Sequence, residues 1–342
     1  MAARNERLFR NIIAIISANQ RLCVSHMLFQ HLCASPALNL LRYASIDHFH
    51  ESEQYARAES IPLVPRDFSV MRASLSLPSC RLSLVRTFPR IITGYELSGQ
   101  LMVVIPMNGT SSTRVNGHAI GHSLILMRGK ANCTVLEPEA RLVSIISIDE
   151  AMLHQRWLGF DNGHLLFRLP AADLARLQAL IRSMLKFAAR EPAAMAAADV
   201  AERARDTLLA GLEEALSSAQ KCESSGRESL DRYKIIVDRV DELVGLAPID
   251  LSNEKLADAI GVSLRTLQKA AFSICGSGVY HYSRLRRLWS VRRQLRTGAP
   301  GLTVKASALA HGFWHQSEFS SAYRTAFGEL PSQTLEQARI RR

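Results

Sequence analysis

The last third of the chain contains the same helical pattern twice. The first copy reads NEKLADAIGVSLRTLQKAAF, where apolar residues at helical spacing stop at Gly261 and resume at Leu264. The small Ala257 allows two helices to cross closely, and a glycine can adopt the positive φ of a sharp turn. Ser263 stands where an N-cap should begin the next helix. This stretch therefore predicts a helix-turn-helix unit.

The second copy follows the basic segment RLRRLWSVRRQLR. Apolar residues precede Gly312, and Phe319, Tyr323 and Phe327 follow it at helical spacing. One such pattern alone is weak, whereas a doubled pattern is specific. The stretch 251–331 is therefore predicted to form two helix-turn-helix units joined by one helix.

The residues of this double pattern resemble the DNA-binding domain of the AraC/XylS family of bacterial transcription regulators. The resemblance covers about the last third of the chain, from Arg227 to the end. It is carried by Leu256-Ala257, Gly261-Val262-Ser263, Arg265 to Lys269, Gly276, Arg287-Leu288, Arg292, Gly312-Phe313, Ser317, Phe319-Ser320, Phe327-Gly328 and Pro331-Ser332. Four positions depart from the family pattern, with Ala271 in place of an aromatic residue, Val279 of proline, Ser307 of isoleucine and Ser321 of arginine.

The positive charge of the chain is concentrated in the same third. Residues 251–342 hold 14 Lys and Arg against 5 Asp and Glu, a net charge of +9, whereas the first 250 residues hold 28 against 26, a net charge of +2. A basic domain attached to a nearly neutral one is typical of a protein that binds nucleic acid. We therefore expect double-stranded DNA to be the partner of the basic third.

The cysteines and the apolar runs limit the class of protein further. Six cysteines are scattered without C-x-x-C spacing, which argues against a zinc site or a disulfide framework and favours a reducing cytoplasm. The early apolar run from Ile12 to Ile16 is too short to span a membrane. We therefore expect a cytoplasmic protein with no membrane partner.

The fold class expected for the whole chain is α+β. Residues 1–45 are expected to form an extension of uncertain role. Residues 46–220 are expected to bind an effector or to dimerise, with short β-runs and turns in 46–165 and amphipathic helices in 171–220. Residues 221–228 read as a linker, and 229–342 as the DNA-binding domain. The family resemblance implies a cupin-like barrel for the β-rich part, and a barrel of this kind can hold a small molecule.

The sequence offers no defensible catalytic site, metal site or cofactor site. His118 and His122 flank a turn without a matching glutamate nearby, so surface or loop histidines are the expected interpretation. We see no nucleophile and base at a spacing that supports catalysis, and no phosphate-binding glycine loop. No enzyme activity and no cofactor are expected.

The family pattern assigns DNA-contacting roles to particular residues. In a helix-turn-helix, the second helix enters the major groove and its first turns meet the base edges. Short neutral side chains predict weaker base reading by the second unit, and arginines of the connecting helix are expected to contact phosphate or to form internal ion pairs. The predicted DNA-binding residues are Arg265, Thr266, Gln268, Lys269, Arg284, Arg287, Arg292, His315, Gln316, Ser317, Glu318, Ser320, Ser321 and Arg324.

The leading hypothesis is a sequence-specific transcription regulator whose N-terminal part senses an effector or dimerises. The resemblance implies an activator that assists RNA polymerase, and a homodimer stays open. One alternative is a cupin-type enzyme with a DNA-binding tail, against which the missing metal cluster counts. The other is a ligand-independent DNA-binding structural protein, against which the long β-segment counts. The effector and the operator are not readable from the sequence.

Overall fold

The computed structural model describes residues 29, 32, 34–43, 45–51, 56–63, 68–108, 112–152, 162–222, 227–246 and 252–340. Residues 1–28 of the expected extension lie outside these ranges, as do residues 223–226 of the predicted linker.

Eleven strands of the described residues form one antiparallel sheet. The strands are β1 (Leu38–Tyr43), β2 (Ala56–Pro62), β3 (Val70–Leu77), β4 (Cys80–Arg86), β5 (Arg90–Pro106), β6 (Arg114–Val115), β7 (His118–Ala119), β8 (Leu124–Glu137), β9 (Leu142–Asp149), β10 (Gly163–Arg168) and β11 (Gln220–Lys221). A short helix, α1 (Ile46–Glu51), separates β1 from β2. The expectation of a β-rich N-terminal region is confirmed.

The long strand β5 belongs to two parts of this sheet. The main strand order is β1-β3-β4-β9-β5-β8-β10-β11, and β2 pairs with the first half of β5 while β9 pairs with its second half. The change of partner coincides with two register shifts near Gly94 and Gly99, which have φ of 68° and 67°. Bulges at positive-φ glycines bend a strand and increase its twist. The bend allows β5 to take part in both pairings.

A helical segment covers one face of the sheet. It consists of α2 (Ala171–Arg190), α3 (Pro192–Ala196) and α4 (Ala198–Ser217), close to the helices predicted for 171–220. Leu177, Ile181 and Leu212 pack with sheet residues such as Leu75 and Leu84 in one buried cluster. The apolar faces of α2 and α4 are therefore used against the chain's own sheet.

Seven helices follow in the described part of the C-terminal third. They are α5 (Arg227–Leu246), α6 (Asn253–Ile260), α7 (Leu264–Cys275), α8 (Val279–Arg296), α9 (Val304–Ala310), α10 (Gln316–Phe327) and α11 (Pro331–Ile340). One apolar cluster joins α5, α6, α7 and the start of α8, and a second joins the rest of α8 with α9, α10 and α11. Helix α8 therefore contributes to both clusters.

The turn between α6 and α7 has the local structure that its sequence predicts. Gly261 ends α6 with a φ of 76°, and the Ser263 side chain accepts a hydrogen bond from the Thr266 backbone N–H at 3.1 Å. Gly312, after α9, also has a φ of 76°. The glycines and the serine cap thus set the angles between consecutive helices.

The departures from the family pattern are accommodated in the packing. Ala271 and Val279 are buried, and the Ser307 hydroxyl is buried and donates to Gln294 Oε1 at 2.5 Å. Phe272, the residue after Ala271, does not take the place of the core aromatic residue of the family pattern, because its side chain is 62% exposed. The core of the first unit is therefore built around a small residue at position 271.

Leu267→Ala is expected to destabilise the C-terminal helices by about 2–5 kcal/mol, because Leu267 is completely buried and its truncation leaves a cavity. Phe272→Ala on the same helix should change stability by less than about 0.5 kcal/mol, because the ring is largely in solvent. Denaturant unfolding of the full chain, followed by circular dichroism, measures both. Equal losses would show that the face of α7 has been assigned incorrectly.

Candidate nucleic-acid interface

Helix α7 separates a polar face from a buried face. Arg265, Gln268 and Lys269 are exposed, whereas Leu267 and Ala270 are fully buried. Lys269 Nζ lies 5.9 Å from the centre of the Tyr233 ring, a cation–π contact that orients the lysine. The face presented to solvent thus carries one guanidinium, one ammonium and one carboxamide.

Thr266 is also predicted to contact DNA, and its hydroxyl takes part in the N-terminal cap of α7. Its hydroxyl lies 2.8 Å from the Ser263 hydroxyl, and its side chain is half-buried. This hydrogen bond fixes the first turn of α7, from which Arg265 projects. Thr266 therefore supports the polar face of α7 as well as bordering it.

The polar face of α10 is less charged. His315, Ser317, Glu318, Ser321 and Arg324 are exposed. The side chains on the other side of α10 hold it in the second cluster, with Phe319 and Tyr323 buried. The exposed face therefore combines short neutral groups with one acidic and one basic group near its two ends.

Two other predicted contact residues on α10, Gln316 and Ser320, are half-buried. Gln316 Nε2 is buried without a hydrogen-bond partner, which is costly for an amide donor. Their placement makes them less accessible to a base than the exposed serines.

A groove runs between α8 and α10. Its lining includes Arg284 from α8 and Ser317 and Ser321 from α10, together with Pro62 at the end of β2 and Leu63 after it. Arg284 therefore lies beside the polar face of α10, where a cation is suitable for phosphate contact. The β-rich region reaches the same groove.

Arg287 contacts the turn between α9 and α10. Its Nη1 donates to the Gly312 carbonyl at 3.5 Å, and its guanidinium lies 5.2 Å from the centre of the Phe313 ring. The sequence predicts Arg287 as a DNA contact, whereas the structure shows it half-buried against the loop that precedes α10.

Arg292 differs most from its predicted role. It is 6% exposed, and its guanidinium donates to Asp47 of α1 at 2.6 Å and to Glu329 at 2.8 Å. The two carboxylates come from opposite ends of the chain and hold the guanidinium charged. In this conformation Arg292 is an internal ion-pair partner and is not presented to a phosphate.

A second ion-pair group joins α8 to β2. Arg286 contacts Glu59, and its Nε lies 3.0 Å from an oxygen of Asp241 on α5. Burial raises the pKa of the Asp241 carboxyl, while Arg286 opposes that rise. The β-rich region and the C-terminal helices therefore share buried charges, and sequence reasoning missed these partners because nothing local marks them.

Among the residues that the structure describes, no group of His, Cys, Asp and Glu is arranged to hold a metal ion. No helix of the described ranges is long and apolar enough to cross a membrane.

Comparison with known proteins shows which family the C-terminal helices resemble. A family model described as a helix-turn-helix domain matches residues 256–337. The chain is 36% identical over 91 residues to a XylDLEGF operon transcriptional activator of Pseudomonas putida, covering 26% of this chain and 28% of that activator. By its C-terminal domain, the chain belongs to the AraC/XylS family. It thus spans less than a third of this relative's length.

Two solved structures of this family are also similar. A probable AraC family regulator from Rhodopseudomonas palustris is 34% identical and matches 31% of this chain and 98% of its own, with a TM-score of 0.28. The AraC-like transcriptional activator CuxR matches 80% of this chain and all of its own, at 14% identity and a TM-score of 0.38.

Arg292→Ala is expected to lower the free energy of unfolding by about 3 kcal/mol, because the substitution leaves buried carboxylates without their cation. This loss is at the lower end of the range for breaking a buried ion pair, because Arg296 Nη1 still lies 3.0 Å from an oxygen of Asp47. Arg293→Ala, one residue away and largely exposed, should cost at most about 1 kcal/mol. Thermal and denaturant unfolding of both variants measures the difference, and an Arg292→Ala variant as stable as the parent would contradict the internal role.

Proposed function

We propose that the protein is a sequence-specific, DNA-binding transcription regulator that responds to an effector. The observation that carries the proposal is the exposed face of α7, where Arg265, Gln268 and Lys269 project from a helix anchored by buried Leu267 and Ala270. Membership of the AraC/XylS family and the net charge of +9 in residues 251–342 support it.

The side chains on α7 suit direct reading of bases. A guanidinium bonds bidentately to guanine, and a carboxamide bonds bidentately to adenine. Arg265 and Gln268 are three positions apart and therefore neighbours on one helical face. Lys269 carries a point charge, which suits a phosphate or a guanine edge.

We propose further that the helices form two helix-turn-helix units, α6–α7 and α9–α10, which contact successive major grooves. Helix α8 has 18 residues, a length of about 27 Å, and packs with both units. Successive major grooves on one face of DNA are about 34 Å apart. A rigid connector of this length is suitable for holding two reading helices at that separation, with α10 the weaker reader.

The domain boundaries follow from the same proposal. Residues 46–220 would hold the effector or form a dimer, in a cupin-like barrel built from the antiparallel sheet, and 229–342 would bind DNA. The P. putida relative is an operon activator by name, which supports activation by this chain. RNA polymerase is the partner that the family resemblance implies. Asp47 and Glu59 form ion pairs with Arg292 and Arg286 of α8. These ion pairs would connect the N-terminal region to the DNA-binding helices.

The thiols of Cys80 and Cys133 give no support to the alternative that the protein is an enzyme. Burial raises the pKa of Cys80 and of Cys133 to about 12, which keeps both protonated at neutral pH. A thiolate is the nucleophilic form, so these thiols are poor candidates for covalent catalysis.

Arg265→Ala and Gln268→Ala should each weaken binding to a selected operator by about 1–3 kcal/mol and relax the preference at one or two base pairs. Binding to scrambled DNA should change much less, because neither side chain is expected to hold phosphate. Fluorescence anisotropy with operators from in vitro selection measures both. Arg203→Ala, an exposed arginine on α4, is the matched control and should leave both affinities unchanged.

Equal weakening of operator and scrambled DNA by a folded Arg265→Ala protein would contradict base reading by this face. Unchanged binding by both variants would contradict the assignment of α7 to the major groove. Melting curves of each variant establish that the helices are intact.

Arg284→Ala should weaken operator and random DNA alike and lower the slope of log affinity against log salt by about one unit, as expected for one lost phosphate contact. The motivation is the position of Arg284 in the groove beside α10. The measurement is a salt series with both DNAs, beside Arg203→Ala. An unchanged slope together with a lost preference would instead make Arg284 a base-reading residue.

A further inference from the structure

The loop before α10 exposes a tryptophan. Trp314 is 56% exposed, whereas Trp289 of α8 is only 3% exposed. Trp314 stands two residues before Gln316, with which α10 begins. A single exposed apolar side chain is ordinary on a protein surface. The position of this indole, beside the first turn of a helix proposed to read bases, makes it a candidate for contact with DNA.

The backbone around Trp314 is held in place by buried neighbours. Phe313 is 8% exposed, its backbone N–H donates to the Ala308 carbonyl at 3.0 Å, and its ring centre lies 5.0 Å from that of Phe319. The Arg287 guanidinium lies 5.2 Å from the centre of the Phe313 ring. The loop therefore presents Trp314 to solvent from a fixed position. An indole has only two rotatable side-chain bonds, so little conformational entropy is lost when it makes a contact.

The exposed indole lies at the end of α10 that a reading helix presents to bases. His315, Ser317 and Glu318 are exposed beside it, whereas Phe319 is buried. In a helix-turn-helix, the first residues of the second helix contact base edges in the major groove. Trp314 is therefore among the first side chains that would meet the DNA.

The polar side chains at this end of α10 are poorly suited to purines. Ser317 offers a single hydroxyl, and the Glu318 carboxylate can accept a hydrogen bond from the amino group of cytosine. The carboxamide of Gln316 is of a type that bonds bidentately to adenine, but its Nε2 is buried. The feature of the major groove that needs no hydrogen bond is the 5-methyl group of thymine, which apolar side chains recognise.

We propose that the indole of Trp314 contacts the 5-methyl group of a thymine in the operator. The contact removes the methyl group and part of the exposed ring from water, which is favourable for both. The inference rests on the proposed function, and it names a determinant of sequence preference on the helix otherwise expected to read bases weakly.

The test replaces thymine by uracil, which lacks only the methyl group. An operator is obtained by in vitro selection, and each of its thymines is replaced in turn by deoxyuridine. At one position the replacement should weaken binding by the parent about fourfold, the factor that corresponds to burial of one methyl group. 5-Bromodeoxyuridine at that position should restore the affinity, because bromine and methyl are similar in size. Fluorescence anisotropy measures each affinity.

Trp314→Ala should bind the thymine and uracil operators equally at that position, and should melt as the parent does, because the side chain is exposed. A merely structural tryptophan would change the melting temperature and leave the preference for thymine unchanged. Trp314→Phe retains an aromatic ring and should still prefer thymine about twofold or more. Phe187→Ala, which removes a half-exposed ring from α2, is the matched control and should prefer thymine as strongly as the parent does.

The salt dependence separates a base contact from a phosphate contact. An indole carries no charge, so the slope of log affinity against log salt should be the same for Trp314→Ala and for the parent. A lower slope in this variant would show that phosphate contacts have been lost and would overturn the assignment of Trp314 to a base.

The inference is also overturned if no thymine of the operator shows a methyl preference, or if the preference persists in Trp314→Ala. A parent protein that binds no DNA sequence selectively would overturn the proposed function, and this inference with it. Sequence-selective binding by the parent without a thymine that depends on Trp314 would overturn the inference alone.

Discussion

The ion pairs of Arg292 hold the two ends of this chain together. A guanidinium buried inside a protein needs carboxylates close by, and here Asp47 comes from the β-rich region while Glu329 follows α10. The aromatic ring of Trp289, one turn earlier on α8, is buried with Phe49 and Phe88 of the β-rich region. The connecting helix is therefore fixed by charge and by apolar contact to the part of the protein that would sense an effector.

The arginines of α8 differ in the residues that they contact. Arg286 and Arg292 face carboxylates of the β-rich region, whereas Arg284 lies in the groove beside α10. Part of the positive charge of this basic helix therefore neutralises carboxylates within the protein and is not available to a nucleic acid. The same division places Asp47 of α1 and Glu59 of β2 in ion pairs with α8.

Local sequence predicted the helices and turns of the C-terminal third well, because helix caps, glycine turns and apolar spacing act over a few residues. Ser263 caps α7, and Gly261 and Gly312 adopt positive φ, as their positions in the pattern predict. The partners of Arg292 and Arg286 were not predicted. They depend on strand pairing and on contacts between residues more than 200 positions apart, such as Asp47 with Arg292.

Hydroxyl-radical footprinting of the protein on a selected operator tests whether two helices contact successive major grooves. We expect two protected patches on one face of the duplex, centred about one helical turn, or about 34 Å, apart, with the stronger protection at the patch assigned to α7. A single patch, or protection spread evenly along the duplex without a preferred sequence, would contradict reading by two helices held at fixed separation.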